Sequence, residues 1–313
     1  MSKITTGNKQ KNIIPNKYRL FLMLLPFIVV TFIFSYFPLY GWKYAFYNYT
    51  PGLPLTKEDF VGLYWFKSIV QNPILVSEVL RVMKNTFAMS LIGIATSALP
   101  VVFAIFLSEL RVERYKKFVQ IFTTLPNFIS WVLVYSFAFT LFSVDTGLIN
   151  QLLIKLNIID SGINFLASTS HVWLSMCLWS IWKGLGWGGI MYLAAIAGID
   201  QELYEAAKVD GAGRFRMMWH ITVPGVLPTF FVLLLLSIAG FLNNGMEQYY
   251  VFQNPMNKDA IEVLDLYVFN IGLGSSANFS FATAVSALKS LISVVLLFIA
   301  NSLSKIFRGE TII

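Results

Sequence analysis

The sequence predicts an all-α membrane protein with six transmembrane helices, and three observations carry that expectation. Of its 313 residues, 57% are hydrophobic and 12% charged, where a soluble domain carries about 25% charged residues. The apolar residues gather into six runs, each long enough to cross a hydrocarbon core of about 30 Å at 1.5 Å per residue. Between two of those runs, which hold one charge between them, lies a polar stretch with helical patterning, Asp200–Pro228.

Taken in order, residues 1–19 are polar and hold Lys3, Lys9, Lys11, Lys17 and Arg19, as a basic tail would. Leu20–Tyr40 is uncharged and is the first expected span; it is long and no A-x-A-like site closes it, which argues against a cleaved signal peptide. Gly41–Lys84 mixes aromatics, prolines and charges and is expected as an outer loop. Asn85–Leu107, containing Pro100, is the second span. Glu109–Lys117 is a short charged linker, and Val119–Phe142 a third span interrupted at Pro126. Ser143–Ser170 is polar, with an interfacial helix expected over Leu152–Ile159. The fourth run, His171–Ile199, is broken by Lys183-Gly184-Leu185-Gly186-Trp187-Gly188-Gly189. Glycines this dense let helices approach closely or open the backbone beside a cavity. Val226–Met246 is the fifth span, Gly245–Ser280 a polar loop, Phe281–Ser304 the sixth span, and 305–313 a short tail.

Lysine and arginine set the orientation. With the N-terminus inside, the cytoplasmic segments hold the five tail residues, Arg111, Arg114, Lys116, Lys117, Lys208, Arg214, Arg216, Lys305 and Arg308. The much longer outer loops hold only Lys43, Lys57, Lys67, Arg81, Lys84, Lys155 and Lys258. Both termini and the 200–228 stretch are therefore expected in the cytoplasm. The net charge of +7 is a topology signal and calls for no nucleic-acid partner.

Chemistry of the enzymatic kind is missing. No G-x-x-x-x-G-K-[ST] loop is present to cradle nucleotide phosphates, and no serine elbow appears. His171 and His220 fall on opposite sides of the membrane in this topology, and no Cys/His/acid cluster has metal-ligand spacing. Cys177, the single cysteine, lies in an apolar run and reads as a small buried hydrophobe. No catalytic residue, bound cofactor or metal is expected on this chain.

Within Asp200–Pro228, Asp200 suits a helix N-cap with Gln201 and Glu202 in the first turn. Leu203, Ala206 and Ala207 share one small apolar face. Asp210-Gly211 supplies a turn. A second helix follows, with Phe215, Met218, Trp219 and Thr222 on one stripe, Arg214 and Arg216 turned to solvent, and Pro224 as its end. Two short helices hinged at a glycine make a lever for another protein to push.

Glu205-Ala206-Ala207, three residues, Gly211, nine residues, then Ile221-x-Val223-Pro224 resembles the EAA loop of ABC-importer permeases, departing only in Val223 for leucine. A bare interfacial helix is the plainer alternative; a DNA-binding helix pair does not suit spans that begin within a few residues on both sides. The resemblance implies that Glu205, Ala206, Ala207, Asp210, Gly211, Ile221 and Pro224, within a loop over 200–224, form a cytoplasmic coupling helix that docks on a separate ATPase subunit. The stretch 85–304 is similar to the five-helix permease core of the maltose-type carbohydrate importers, with one helix added in front. Phe241–Gln248, Asp265–Val268, Phe281–Val285, Lys289-Ser290 and Ala300-Asn301 are similar to permeases for complex oligosaccharides in Gram-positive bacteria.

A sugar path needs aromatic faces for C–H surfaces and amides or carboxylates for hydroxyls. Asn243 and Glu247 are spaced to share a helical face, with Asn244 and Gln248 beside them. They either line a cavity or cap the outer end of the fifth span. Lys183 and Lys289 sit near the middles of spans, where a charge faces the bundle interior. Each ammonium either serves the path, donates to carbonyls of a broken helix, or snorkels. Trp173, Trp179, Trp182 and Trp187 suit sugar stacking or an interfacial belt.

The resemblance therefore implies the permease subunit of an importer in the bacterial plasma membrane, moving an oligosaccharide delivered by an extracytoplasmic solute-binding protein. Its expected partners are a second, related permease in a heterodimer and two cytoplasmic ATPase subunits, which hold ATP and Mg. A membrane-embedded glycosyltransferase would need an acidic or metal-binding cluster, and a secondary carrier paired buried acids; neither is evident.

Overall fold

The computed structural model describes residues 16–274 and 277–308, and among these the ordered backbone is helical apart from one bridge between Tyr47 and Phe60. Residues 1–15 of the expected N-terminal tail and 309–313 of the C-terminal tail lie outside the described residues.

Helix α1, Asn16–Thr31, starts inside the expected tail and runs on through a wide π-turn, Phe32–Tyr36, and a tight 3-10 segment, Phe37–Phe46. The first apolar helix thus continues past Tyr40. Pro38 explains the change of winding: its ring excludes the carbonyl four residues back, that of Phe34, and the π-turn makes the room.

The expected loop 41–84 is largely helical. It holds α2, Tyr64–Gln71, and the first half of α3, Pro73–Ala95. The second span therefore begins at Pro73 rather than Asn85, capped by the Asn72 side chain accepting from Ile74 N at 3.0 Å. Glu78 and Arg81 look like loop residues in isolation, yet they are satisfied across the fold. Arg81 pairs with Glu262 at 2.8 Å and Asp259 at 3.3 Å, and the Tyr267 hydroxyl donates to Glu78 at 3.1 Å. After a break at residues 96–98, α4, Leu99–Ser108, continues the same span with Pro100 in its first turn.

The third expected span is broken outright. Helix α5, Glu113–Thr124, claims half of the predicted linker, passes through a 3-10 turn, Leu125–Phe128, and meets α6, Trp131–Phe142, at 106°. Pro126 sits at that corner. Helix α7, Leu148–Lys155, precedes its expected place; it closes at Asn157 (φ 55°), with Ile158 N–H donating to Leu153 O at 3.0 Å.

Helix α8, Val172–Ala197, is continuous through the glycine stretch that the sequence marks as a break. Those glycines serve packing: Gly186 lies against the backbone of Thr123 and Gly189 against the ring of Phe103, with no room for a Cβ at either. Helix α9, Gln201–Val209, and α10, Arg214–Met217, flank the Gly211 turn. Pro224 does not end the helix. A π-turn, Met218–Thr222, leads straight into α11, Val223–Ala239, so one helical rod runs from Arg214 to Ala239. The mechanism is the one seen at Pro38, with the His220 carbonyl displaced.

The fifth span ends at Ala239, because Gly240 caps it and residues 241–246 are not helical. The following stretch, expected as a polar loop, carries α12, Glu247–Phe252, α13, Lys258–Ile261, and α14, Leu264–Leu273. Helix α15, Phe279–Arg308, closes the fold and packs along α11 and α14.

Among the described residues, four helices are long and apolar enough to cross a membrane: Phe21–Phe46, Pro73–Ser108, Arg214–Ala239 and Phe279–Ser302. The bent α5–α6 pair makes a fifth if it counts as one span. Helix α8 has the length, at about 39 Å for 26 residues, but Lys183 and its glycines dilute its apolar character.

Candidate functional site

The candidate at the 200–224 loop is built locally. Asp200 caps α9, accepting from Glu202 N at 3.0 Å. At the other end Gly211 takes φ 73°, Ala212 N–H donates to Ala207 O at 2.8 Å, and Gly211 N–H to Lys208 O at 3.1 Å. This pair of bonds is the Schellman closure, which needs a residue in the left-handed region and so favours glycine. Nothing lies within 4 Å of a Cβ built at Gly211, so the angle, not crowding, selects the residue. Glu205, Ala206, Asp210, Gly211 and Pro224 are exposed, while Ala207 and Ile221 are half-buried. The Tyr204 hydroxyl meets Thr222 Oγ1 at 2.9 Å and fastens α9 to the rod. Around the turn, large apolar side chains stand free: Val209 is 88% exposed, Phe215 78% and Trp219 67%.

The second candidate is a cavity of about 540 Å³ between α3, α4, α8 and α11. Its apolar wall includes Met89, Leu185, Met191 and Leu233, and Trp187 stands at its side. Its polar groups include Thr96, Ser97, Ser180, Ser237, Asn244 and Gln248, and the lining contains no carboxylate. Asn244 Nδ2 donates to Ser90 Oγ at 3.0 Å, and that hydroxyl donates to the Phe241 carbonyl. Gln248 is buried; its Nε2 donates to Met176 O and its Oε1 accepts from Ser180 Oγ, both at 2.7 Å. Burial, aided by the Asp265 charge, pushes the neighbouring Tyr249 phenol well above its usual pKa, so it stays neutral.

The spacing argument for Asn243 and Glu247 fails on geometry. Residues 241–246 form a turn, with Gly245 at φ 72°, so positions 243 and 247 do not share a helical face. Both are exposed and neither lines the cavity; their neighbours Asn244 and Gln248 do. Lys183 donates to the carbonyls of Asn127 at 2.7 Å and Pro126 at 3.3 Å, the groups freed at the α5–α6 corner. Lys289 is ion-paired to Asp265. Trp182 belongs to a different cleft on the opposite face of α8 and stacks on Phe137, with ring centroids 5.9 Å apart. Sequence reasoning missed Ser90 and Ser180, which reach the cavity turn from other helices and carry no local signal, and it marked Asp265 only through the Asp265–Val268 resemblance, without its bond to the turn. Among the described residues no three metal-ligating side chains gather.

With this geometry in hand, residues 100–309 match the family model of the binding-protein-dependent transport system inner membrane component. The chain is 40% identical to the Bacillus subtilis protein LplB over 93% of this chain and 90% of that one. It is 39% identical to the polygalacturonan/rhamnogalacturonan transport system permease protein YteP of Bacillus subtilis, over 96% and 91%. Among solved structures it is similar to a bacterial ABC transporter involved in the import of the acidic polysaccharide alginate. The TM-score there is 0.82 at 30% identity, covering 94% of this chain and 97% of that chain. A bacterial alginate ABC transporter in complex with an alginate pentasaccharide-bound periplasmic protein aligns equally well, with a TM-score of 0.82 at 29% identity over 95% of this chain and 97% of that one.

Proposed function

Because the chain belongs to the inner membrane components of binding-protein-dependent transport systems, we propose that it carries an oligosaccharide past the Asn244–Gln248 cavity, driven through its 200–224 loop. It is a permease subunit of a carbohydrate ABC importer, a transport component and not an enzyme.

One observation supports the mechanism above the others. The rod Arg214–Ala239 bears the exposed Phe215 and Trp219 at its loop end and the cavity-lining Leu233 and Ser237 further along. A push on the loop is thereby a movement of the cavity wall. Glu205, Ala206, Ala207 and Gly211 form the coupling surface, and the exposed apolar tips bury against the ATPase subunit that binds ATP and Mg. Two such subunits, a second related permease and an extracytoplasmic binding protein complete the importer, with both termini of this chain in the cytoplasm. Six spans are reached by adding α8 and the bent α5–α6 pair to the four apolar helices.

The substrate is an oligosaccharide delivered by the binding protein. Amides and hydroxyls in the lining suit sugar hydroxyls, and the absence of a carboxylate there spares an acidic sugar any like-charge repulsion.

The test is ATP-driven uptake of labelled oligosaccharide by the assembled importer in proteoliposomes. Phe215→Glu with Trp219→Glu is expected to leave the chain inserted and the permeases paired, while recovery of the co-purified ATPase falls about tenfold or more. Full ATPase recovery and full uptake would remove the loop from the coupling path.

A further inference from the structure

The turn that carries Asn244 and Gln248 is held from a distance. Asp265, on α14, turns its two carboxylate oxygens to different tasks. Oδ1 pairs with the Lys289 ammonium of α15, and Oδ2 accepts from the Gly245 backbone N–H at 2.9 Å. The two side chains are 21% and 13% exposed. An ammonium and a carboxylate this far from water are expensive unless each has a partner. An ion pair alone needs only one oxygen. The second oxygen reaches back 20 positions to the one glycine between α11 and α12 that takes a left-handed angle, φ 72°. That angle is not crowded into place, since nothing lies within 4 Å of a Cβ built there. It is held by the bond to Asp265.

On either side of Gly245 stand Asn244 and Gln248, both in the cavity wall. Ser90 holds the first from α3 and Ser180 the second from α8. Asp265 fixes the backbone between them, and Lys289 fixes Asp265. We propose that Asp265 and Lys289 are a positioning pair for substrate recognition, setting the polar wall of the cavity through the Gly245 turn without touching substrate. This rests on reading the cavity as the sugar path.

The pair makes an asymmetric demand that a merely structural ion pair would not. Exchanging the charges, Asp265→Lys with Lys289→Asp, rebuilds the attraction but places an ammonium where Gly245 needs an acceptor. Removing both charges, Asp265→Asn with Lys289→Met, leaves an amide oxygen free to accept and no unpaired charge. The experiment measures uptake kinetics of the assembled importer with its binding protein, together with amide exchange over residues 240–248 by mass spectrometry. Asp265→Ala is expected to raise KM about tenfold with maximal ATPase rate within about twofold, and to speed Gly245 exchange about tenfold or more. The uncharged double variant should stay within about threefold of the parent KM, and the exchanged pair should remain as poor as Asp265→Ala.

Rescue by the exchanged pair, or an unchanged KM and exchange rate in Asp265→Ala, overturns the proposal. Gln248→Leu separates the two ideas. If it raises KM while Asp265→Ala does not, the cavity is the path and the pair does not position it. If Gln248→Leu leaves KM unchanged, the cavity reading itself fails, and any effect at Asp265 comes by another route. Should Asp265→Ala fail to assemble, the uncharged double variant and the exchanged pair still give opposite expected outcomes.

Discussion

Gly211 and Gly245 take nearly the same backbone angle, φ 73° and 72°, and are held there by opposite means. Gly211 is closed by its own helix: the partners of the Schellman bonds, Ala207 and Lys208, lie within one turn. Gly245 is closed by strangers to its sequence, with Asp265 holding its N–H and Ser90, Met176 and Ser180 holding the residues beside it. A turn closed by its own helix can move as a unit against a partner. A turn closed by three other helices changes shape only when those helices move. The first design suits a coupling surface and the second a recognition surface that must feel the state of the whole bundle.

The sharpest way to break this comparison is to forbid the angle at the local turn. Gly211→Pro fixes φ near −65° and deletes the bond to Lys208, an effect of about 3 kcal/mol on the loop. Uptake by the assembled importer should fall roughly a hundredfold, with the chain still inserted and binding protein still engaged. Uptake above a tenth of the parent rate would show that the loop tolerates another closure.

A smaller effect is expected at the distant turn. Gln248→Leu takes the acceptor from the Ser180 hydroxyl, at about 1–3 kcal/mol, and KM should rise about tenfold while ATPase recovery is unchanged. A drop in ATPase recovery would mean the two turns are not separable.

The smallest belongs to Asn243→Ala. Its side chain is exposed and outside the cavity, so KM should stay within about threefold. A twentyfold rise would put the path on the outer face of the turn and demote the cavity.

How much of this was legible follows the same division. The Asp200 cap and the Gly211 turn are written in neighbouring residues, and they stand where capping and turn chemistry put them, whereas the stripe of Phe215, Met218, Trp219 and Thr222 is split by the π-turn, which leaves Phe215 and Trp219 exposed and Thr222 buried. One of the readings open for Lys183, donation to the carbonyls of a broken helix, is the observed one, because Pro126 announces the break. The early start of α3 was hidden, since Glu78 and Arg81 read as loop charges until Tyr267, Asp259 and Glu262 arrive from across the fold. The early end of α11 was hidden too. A periodic reading carries Asn243 and Glu247 along one helix, whereas Gly240 stops it and Asp265 selects a turn instead. The six-residue helix α12 then restarts out of phase. Proline misled at one place: Pro224 reads as a stop, yet it lies within continuous helical winding behind a π-turn.

That π-turn at Met218–Thr222 has a rotational consequence. A π-turn holds one residue more than the α-helical turn it replaces, and in an α-helix one residue corresponds to about 100° around the axis. The azimuth of Phe215 relative to Leu233 is therefore set by a single inserted residue, like a keyed joint between two shafts. Regularising Met218–Thr222 to α-helix without removing a residue would swing the loop-side face by about 100°, leaving the span, the cavity and the loop each intact but facing the wrong way for one another, whereas deleting one residue together with the π-turn would keep them in register.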